Sequence, residues 1–276
     1  LKSYLNIQGR LLLHKFFILL NLIRLIPKIE IRFMSNGHWI NLSQKKQSIY
    51  NKFLRFFNIG YANKLVLINS RAYDLFYKNK FIKREKYIVL LDEPLNDQQY
   101  IRLRGPTDKQ KIKIHYKNLI EKLKTISKFY NKKVVICMHP SEDIKLKKKI
   151  FSGFLVKKYE TKKYIYQSKL VLFFESSAIT DAVMLKKKII TLFSNVLDEN
   201  QISHNMHYVN EIKIPSINID ESLTFDQNDK DKFEYNKKKI DNTYNHYIKK
   251  YIAADNSKIP GYIKITNIIK KNYFFK

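Results

Sequence analysis

The chain has 276 residues, enough for two small α/β domains or one large one, and its first residue, Leu1, is consistent with a fragment. Its hydrophobic fraction of 45%, with 19 tyrosines and 18 phenylalanines, excludes a disordered chain. The formal charge of +29 favours polyanionic partners, but the basic residues are scattered and form no long arm, so we do not predict nucleic-acid binding.

The most apolar stretch lies near the beginning of the chain, from Leu11 to Ile26, and ends at Pro27. Four polar residues interrupt it, and it is shorter than a typical membrane span. It is predicted to be a buried or half-buried helix, and the alternative is a helix that lies on a membrane surface. No cleavable signal peptide is visible.

Residues 1–85 are predicted to form a partial N-terminal α/β lobe. Short strands are expected at Ile29–Met34 and at Lys64–Asn69, and the second of these is an apolar run of strand length. Ala72–Tyr77 is predicted to begin a helix. A basic linker follows and ends the lobe.

Residues 86–225 alternate between strand and helix patterns. Strands are predicted at 87–91, 133–138, 170–174 and 188–193, with weaker candidates at 154–156 and 212–219, and helices at 109–130, 141–150, 161–168 and 176–185. The alternation predicts a parallel, Rossmann-type sheet flanked by helices, in which the first four strands lie parallel. Residues 226–276 are predicted to be a C-terminal helical tail, with one helix near 233–251 and an apolar packing segment at 259–269.

Polar residues follow three of the predicted strands, namely Asp92-Glu93, His139-Pro140 and Glu175-Ser176-Ser177. Ligands of parallel sheets bind at the carboxyl ends of strands. These three strand ends should therefore face one crevice.

Two of the three strand ends are candidate phosphate ligands. Ser176 and Ser177 would start a helix whose first amides attract an anion, or Ser176 is a plain helix cap. His139 would donate to a phosphate or a leaving group, or it caps local backbone. Pro140 fixes the exit of the chain. The sequence leaves both pairs of interpretations open.

The acidic residues near these ends are also open to two interpretations. Asp92 and Glu93 form either a turn closed by Pro94 or acids of an interdomain cleft. Glu175 either bonds a hydroxyl group of the ligand or caps the neighbouring strand. Asp181, one turn into the helix, is predicted to be structural.

No metal or cofactor site is predicted. His204 and His207 lie three residues apart in a polar loop without a third ligand nearby. The single Cys137 excludes a disulfide framework and a zinc–cysteine cluster within the chain. The chain carries no GxGxxG, Walker, HExxH or GxSxG motif, and its 6 glycines do not suggest dinucleotide-cofactor chemistry.

The segments KVVICMHP and LVLFFESSAITDAVMLKKKIITL, within residues 87–220, resemble the C-terminal half of GT-B glycosyltransferases that build bacterial surface polysaccharides. The pattern is most similar to that of sialyltransferases and polysialyltransferases, which carry an HP motif and a paired-serine motif. Transferases of Kdo-like sugars and CDP-glycerol polymerases have related patterns. The resemblance implies a GT-B-like fold in which His139, Ser176 and Ser177 hold the phosphate of a CMP donor.

This resemblance also implies a general base that the chain does not supply. The families use an acidic motif ending in glycine in the N-terminal domain, and residues 1–85 contain none. About 85 residues are also too few for the usual N-terminal domain, so we expect an incomplete N-terminal lobe.

The function that the resemblance implies is transfer of an acidic sugar, sialic acid or a relative, from a CMP donor to a surface or capsular glycan. The enzyme would be peripheral, at the cytoplasmic face of the cell membrane, where its basic surface contacts anionic lipid. Neither metal nor cofactor is expected. The alternatives are a CDP-polyol phosphotransferase, a UDP-sugar transferase, and a non-catalytic membrane-associated partner.

Overall fold

The computed structural model of the chain describes residues 31–34, 64–78, 85–95, 108–195, 209–223, 231, 233–234, 237–253, 255, 257 and 259–273. The chain divides into two compact units, Leu1–Asp74 with Lys249–Lys276, and Leu75–Ile248. The C-terminal tail expected after residue 225 is thus shared between the two units. Its residues up to Ile248 belong to the second unit, and those from Lys249 onward belong to the first.

The elements are named in chain order. The strands are β1 (Ile31–Met34), β2 (Lys64–Leu67), β3 (Tyr87–Leu91), β4 (Lys133–Cys137), β5 (Leu155–Lys157), β6 (Ser168–Phe173), β7 (Lys188–Phe193) and β8 (Ser216–Asn218). The helices are α1 (Arg71–Lys78), α2 (Lys109–Tyr130), α3 (Ile144–Ile150), α4 (Thr161–Tyr166), α5 (Ile179–Met184), α6 (Lys237–Tyr247) and α7 (Gly261–Tyr273). A π-helical turn, Ile248–Ile252, follows α6.

In the first unit, β1 and β2 form a parallel pair. The Asn69 side chain donates to the carbonyls of Ser257 and Ile259 at 2.7 and 3.1 Å. The amide of Gly261 donates to the Asp74 carboxylate at 2.8 Å. A Cβ at Gly261 would lie 2.5 Å from the Asn69 carbonyl oxygen, so this close approach requires glycine.

The second unit is built on a six-stranded sheet in the order β5-β4-β3-β6-β7-β8. Every neighbouring pair is parallel, which confirms the prediction that the four principal strands lie parallel in one sheet. The chain moves outward from β3 to β4 and β5, then returns to the other side of β3 with β6. The topological switch point therefore lies between β3 and β6.

The four central strands, β3, β4, β6 and β7, are buried on both faces, as continuous apolar runs in parallel sheets are. Ile88, Val89, Leu90 and Leu91 of β3 are all at most 1% exposed. Helix α2 packs its apolar stripe against one face, where a single core cluster joins α2 to all six strands of the sheet.

Helix α2 has the bounds that its periodicity predicts. Asp108 caps its first turn by accepting from the Gln110 amide at 2.8 Å. Asn131 ends it in the left-handed conformation, with φ of 48°. These two local signals explain why both ends of α2 could be predicted from the sequence.

Three predicted elements begin at least three residues later than expected. The helix predicted from residue 141 begins at Ile144, and the helix predicted from residue 176 begins at Ile179. The strand predicted from residue 212 is only β8, because Lys213 has a positive φ of 54° and Pro215 follows before the strand starts. The segment Leu11–Ile26 lies outside the described residues, and no described helix is long and apolar enough to span a membrane.

Candidate functional site

The carboxyl edge of the sheet brings the three predicted strand ends to one side of the second unit. Strand β3 lies between β4, which leads to His139, and β6, which leads to Ser176. Two inter-strand spacings, about 9.5 Å, therefore separate the backbones of β4 and β6. The histidine and serine loops flank the end of β3 at the switch point.

His139 is exposed, and its ring is oriented by the loop that follows it. The Ser141 amide donates to Nδ1 at 3.3 Å, and the Ser141 hydroxyl lies 2.7 Å from the same nitrogen. An Nδ1 that accepts leaves the proton of a neutral ring on Nε2. Nε2 makes no hydrogen bond within the described residues, so local capping and donation to a ligand are compatible in this geometry.

The paired serines lie in a turn before α5. The Ser176 hydroxyl accepts from the Ala178 amide at 3.3 Å, and the Ser176 carbonyl accepts from the Ile179 amide at 3.1 Å. The Ser177 carbonyl accepts from the Thr180 amide at 3.3 Å. The predicted helix start at Ser176 is therefore wrong, because α5 begins at Ile179 and the amides of Ala178, Ile179 and Thr180 donate within local turns. The serine hydroxyls remain as candidate ligands, and Ser177 is exposed.

Asp92 and Glu93 are buried, with exposed fractions of 6% and 1%. The Asp92 carboxylate lies 2.5 Å from the ammonium of Lys147, a fully buried lysine of α3, and Glu142 lies at the same distance. Lys147 also donates to the Tyr116 hydroxyl at 2.6 Å and to the Glu93 carbonyl at 3.1 Å. Asp92 is therefore committed to an internal ion pair rather than exposed to a cleft.

Lys147 was not singled out by the sequence, since it lies in the basic run IKLKKKI. One signal was available. Ile144, Lys147 and Phe151 recur at helical spacing, which puts the lysine on the same face as two apolar residues. That face is the buried one in the structure.

Burial dominates the electrostatics of this ion pair. It raises the pKa of Asp92, and Lys147 opposes the rise. It lowers the pKa of Lys147, and Asp92 opposes the fall. The charge of His139 also lowers the pKa of Asp92, so the two residues interact electrostatically. The ion pair thus joins the loop after β3 to the loop that carries His139.

His115 of α2 is a second buried residue that the sequence analysis missed. It is 1% exposed, and its ring centroid lies 5.0 Å from that of Phe174 and 5.4 Å from that of Tyr116. Burial lowers its pKa from 6.5 to about 4, so the ring is neutral near pH 7. Because Phe174 directly precedes Glu175, this neutral ring packs beneath the serine loop.

The remaining predicted residues occupy less central positions. Glu175 is half-buried, and so is Asp181, whose pKa is raised by burial. Burial raises the pKa of the Cys137 thiol to about 12. His204 and His207 lie outside the described residues, and within the described part no group of side chains is arranged to hold a metal ion.

Searches of family models and of curated proteins find no match to this chain. Solved structures show partial likeness. The UDP-GlcNAc 2-epimerase of Methanocaldococcus jannaschii, in complex with UDP-GlcNAc and UDP, is 14% identical with a TM-score of 0.40, over 80% of this chain and 59% of that one. MurG of Acinetobacter baumannii is 8% identical with a TM-score of 0.39, over 90% and 68%.

WaaG, a glycosyltransferase involved in lipopolysaccharide biosynthesis, is 10% identical with a TM-score of 0.34, over 88% of this chain and 76% of that one. The chain thus spans about three fifths of the length of the epimerase. The fold class is established by the chain's own topology: it is an α/β protein whose six-stranded parallel sheet is of the Rossmann type and flanked by helices.

Proposed function

We propose that the chain is the nucleotide-binding part of a GT-B-type glycosyltransferase and that it binds the donor's phosphate at the carboxyl edge of the sheet. The observation that carries this proposal is the arrangement around β3, with His139 on one side and Ser176 and Ser177 on the other. In doubly wound sheets the switch point is where nucleotide ligands bind.

The chemistry of the loops suits a departing phosphate. His139 offers Nε2–H as a donor, and the exposed Ser177 hydroxyl offers a second. In direct displacement at the anomeric carbon, negative charge develops on the leaving phosphate, and these donors stabilise it. The reaction also needs a general base, such as the carboxylate of an acidic residue, to remove the proton of the acceptor hydroxyl. Because Asp92 and Glu93 are buried, we expect that base in another part of the protein.

The donor in this proposal is a CMP-activated acidic sugar, sialic acid or a relative, and the acceptor is a surface or capsular glycan. The support is the resemblance of the HP and paired-serine segments. A UDP-sugar donor and a CDP-polyol donor are alternatives with the same phosphate chemistry. A non-catalytic membrane-associated partner is the remaining alternative, and it predicts no nucleotide binding.

His139→Ala tests the proposal directly. We expect it to weaken the binding of CMP and of a CMP-sugar by about 1.5–3 kcal/mol, the usual value of a hydrogen bond with a charged partner. Ser177→Ala should weaken binding less than His139→Ala does, because the Ser176 hydroxyl and the backbone of the serine loop remain in place. Titration calorimetry of the wild type and both variants measures these changes.

His246→Ala is the matched control, because His246 is an exposed histidine of α6. Tyr244 of the same helix bonds to Lys187 at the amino end of β7, so α6 approaches the opposite edge of the sheet. CMP affinity should be unchanged in this control. Wild-type affinity in both the His139 and Ser177 variants would eliminate the phosphate site.

We also propose that the protein acts as a peripheral protein at the inner face of the cell membrane. Its charge of +29 supports attraction to anionic lipid. In flotation with liposomes we expect recovery with anionic vesicles that falls as salt is added, because exposed charges are screened. Equal recovery with neutral and anionic vesicles would contradict a role for charge.

A further inference from the structure

Tyr159, which follows β5, has two features that folding does not explain. It is 76% exposed, the largest exposed fraction of any large hydrophobic side chain in the described residues. Its φ is +64°, in the left-handed region that bulky side chains rarely adopt. Glycine or asparagine would satisfy this turn with less strain, so an exposed tyrosine here indicates a role in binding.

The strand register sets Tyr159 beside the His139 loop. Cys137 of β4 pairs with Lys157 of β5, and His139 and Tyr159 each follow two residues later. The Met138 amide donates to the Lys157 carbonyl at 3.0 Å, so the pairing continues past the strand end. Both side chains therefore belong to the same edge of the sheet.

A second bond joins the two loops. The ammonium of Lys158 donates to the carbonyl of Glu142 at 2.9 Å. The same ammonium lies 5.3 Å from the centroid of the Tyr159 ring. Within the described residues this cation–π contact is the only polar or aromatic contact of the ring, and most of the side chain is open to solvent. An exposed aromatic ring next to a cation is the arrangement on which nucleobases stack.

We propose that Tyr159 is the stacking platform for the base of the nucleotide whose phosphate His139 binds. This inference rests on the proposed function. In the sheet order, β5 lies next to β4 and on the side away from β6. A nucleotide that lies across the strand ends, with its base over β5 and its phosphate toward β3, reaches Tyr159 and the His139 and serine loops together.

The test compares two ligands that share a ribose phosphate but differ in the base. CMP and ribose 5-phosphate are titrated by calorimetry into the wild type, Tyr159→Asn and Tyr159→Phe. Tyr159→Asn should weaken CMP binding about 10-fold, which is the loss typical of one stacked base. It should leave ribose 5-phosphate binding unchanged, and Tyr159→Phe should retain wild-type affinity for CMP.

Stability and a variant at the opposite edge of the sheet provide the controls. Asparagine tolerates the left-handed conformation, so the Tyr159→Asn variant should melt at or above the wild-type temperature. His246→Ala, at an exposed residue of α6, the helix that contacts the amino end of β7, should bind CMP as the wild type does. A loss of CMP affinity without a loss of stability therefore supports a binding role.

Four outcomes would overturn the inference. Wild-type CMP affinity in Tyr159→Asn removes the stacking role. Equal weakening of CMP and ribose 5-phosphate means that the residue acts on the phosphate loop instead. A wild type that binds both ligands equally well does not recognise the base, and the phosphate site then stands without this subsite. A wild type that binds neither ligand overturns the proposed function and this inference together.

Discussion

Lys147→Met is expected to lower the free energy of unfolding by about 3–5 kcal/mol, the usual cost of removing one partner from a buried ion pair. The substitution leaves the carboxylates of Asp92 and Glu142, both 2.5 Å from the ammonium, buried without their cation. The Tyr116 hydroxyl and the Glu93 carbonyl lose a donor as well.

Urea unfolding of purified protein measures this loss. Lys148→Met is the matched control, because Lys148 is the next residue of α3 and is exposed, and it should change stability by no more than about 0.5 kcal/mol. Adding Asp92→Asn to Lys147→Met should restore part of the loss, because one stranded charge is then removed. A Lys147→Met protein as stable as the Lys148→Met protein would refute the account of the ion pair.

Acidification from pH 6.5 to pH 4 is expected to remove a stabilising contribution of His115. Its pKa is about 4 when folded, against 6.5 for an exposed histidine. Between these two pH values the His115 ring is protonated in the unfolded state but neutral in the folded state. The free energy of unfolding therefore rises with pH across this range and falls as the solution is acidified. A shift of this size corresponds to about 3 kcal/mol.

The measurement is the difference in unfolding free energy between pH 7 and pH 4 for the wild type and for His115→Phe. Phenylalanine keeps the aromatic packing against Phe174 and Tyr116 but does not titrate, so the pH dependence of the variant should be shallower by that amount. His246→Phe, at an exposed histidine, should retain the wild-type dependence. Identical slopes for the wild type and His115→Phe would show that His115 is not the group responsible.

The sequence by itself determined the elements and the candidate residues at their ends. The strands β3 and β7 and the helix α2 have their predicted bounds. Their long apolar runs and periodic apolar stripes identify residues that are buried in any α/β packing, so the pattern does not depend on the particular topology. His139 and Ser176 were found because they lie within two residues of the end of an apolar run. Parallel pairing was also predictable, because parallel strands require crossover connections and the predicted helices between the strands supply them.

Only the tertiary structure decided which strand ends are neighbours. The order that puts β3 between β4 and β6 arises from long-range packing, and no local pattern encodes it. The same packing buries Lys147 with Asp92, although these residues are 55 positions apart in the chain. The sequence alone indicates a surface lysine and an acidic residue in a turn. It also brings Tyr159 beside the His139 loop, because strand register, rather than sequence distance, sets which side chains share an edge.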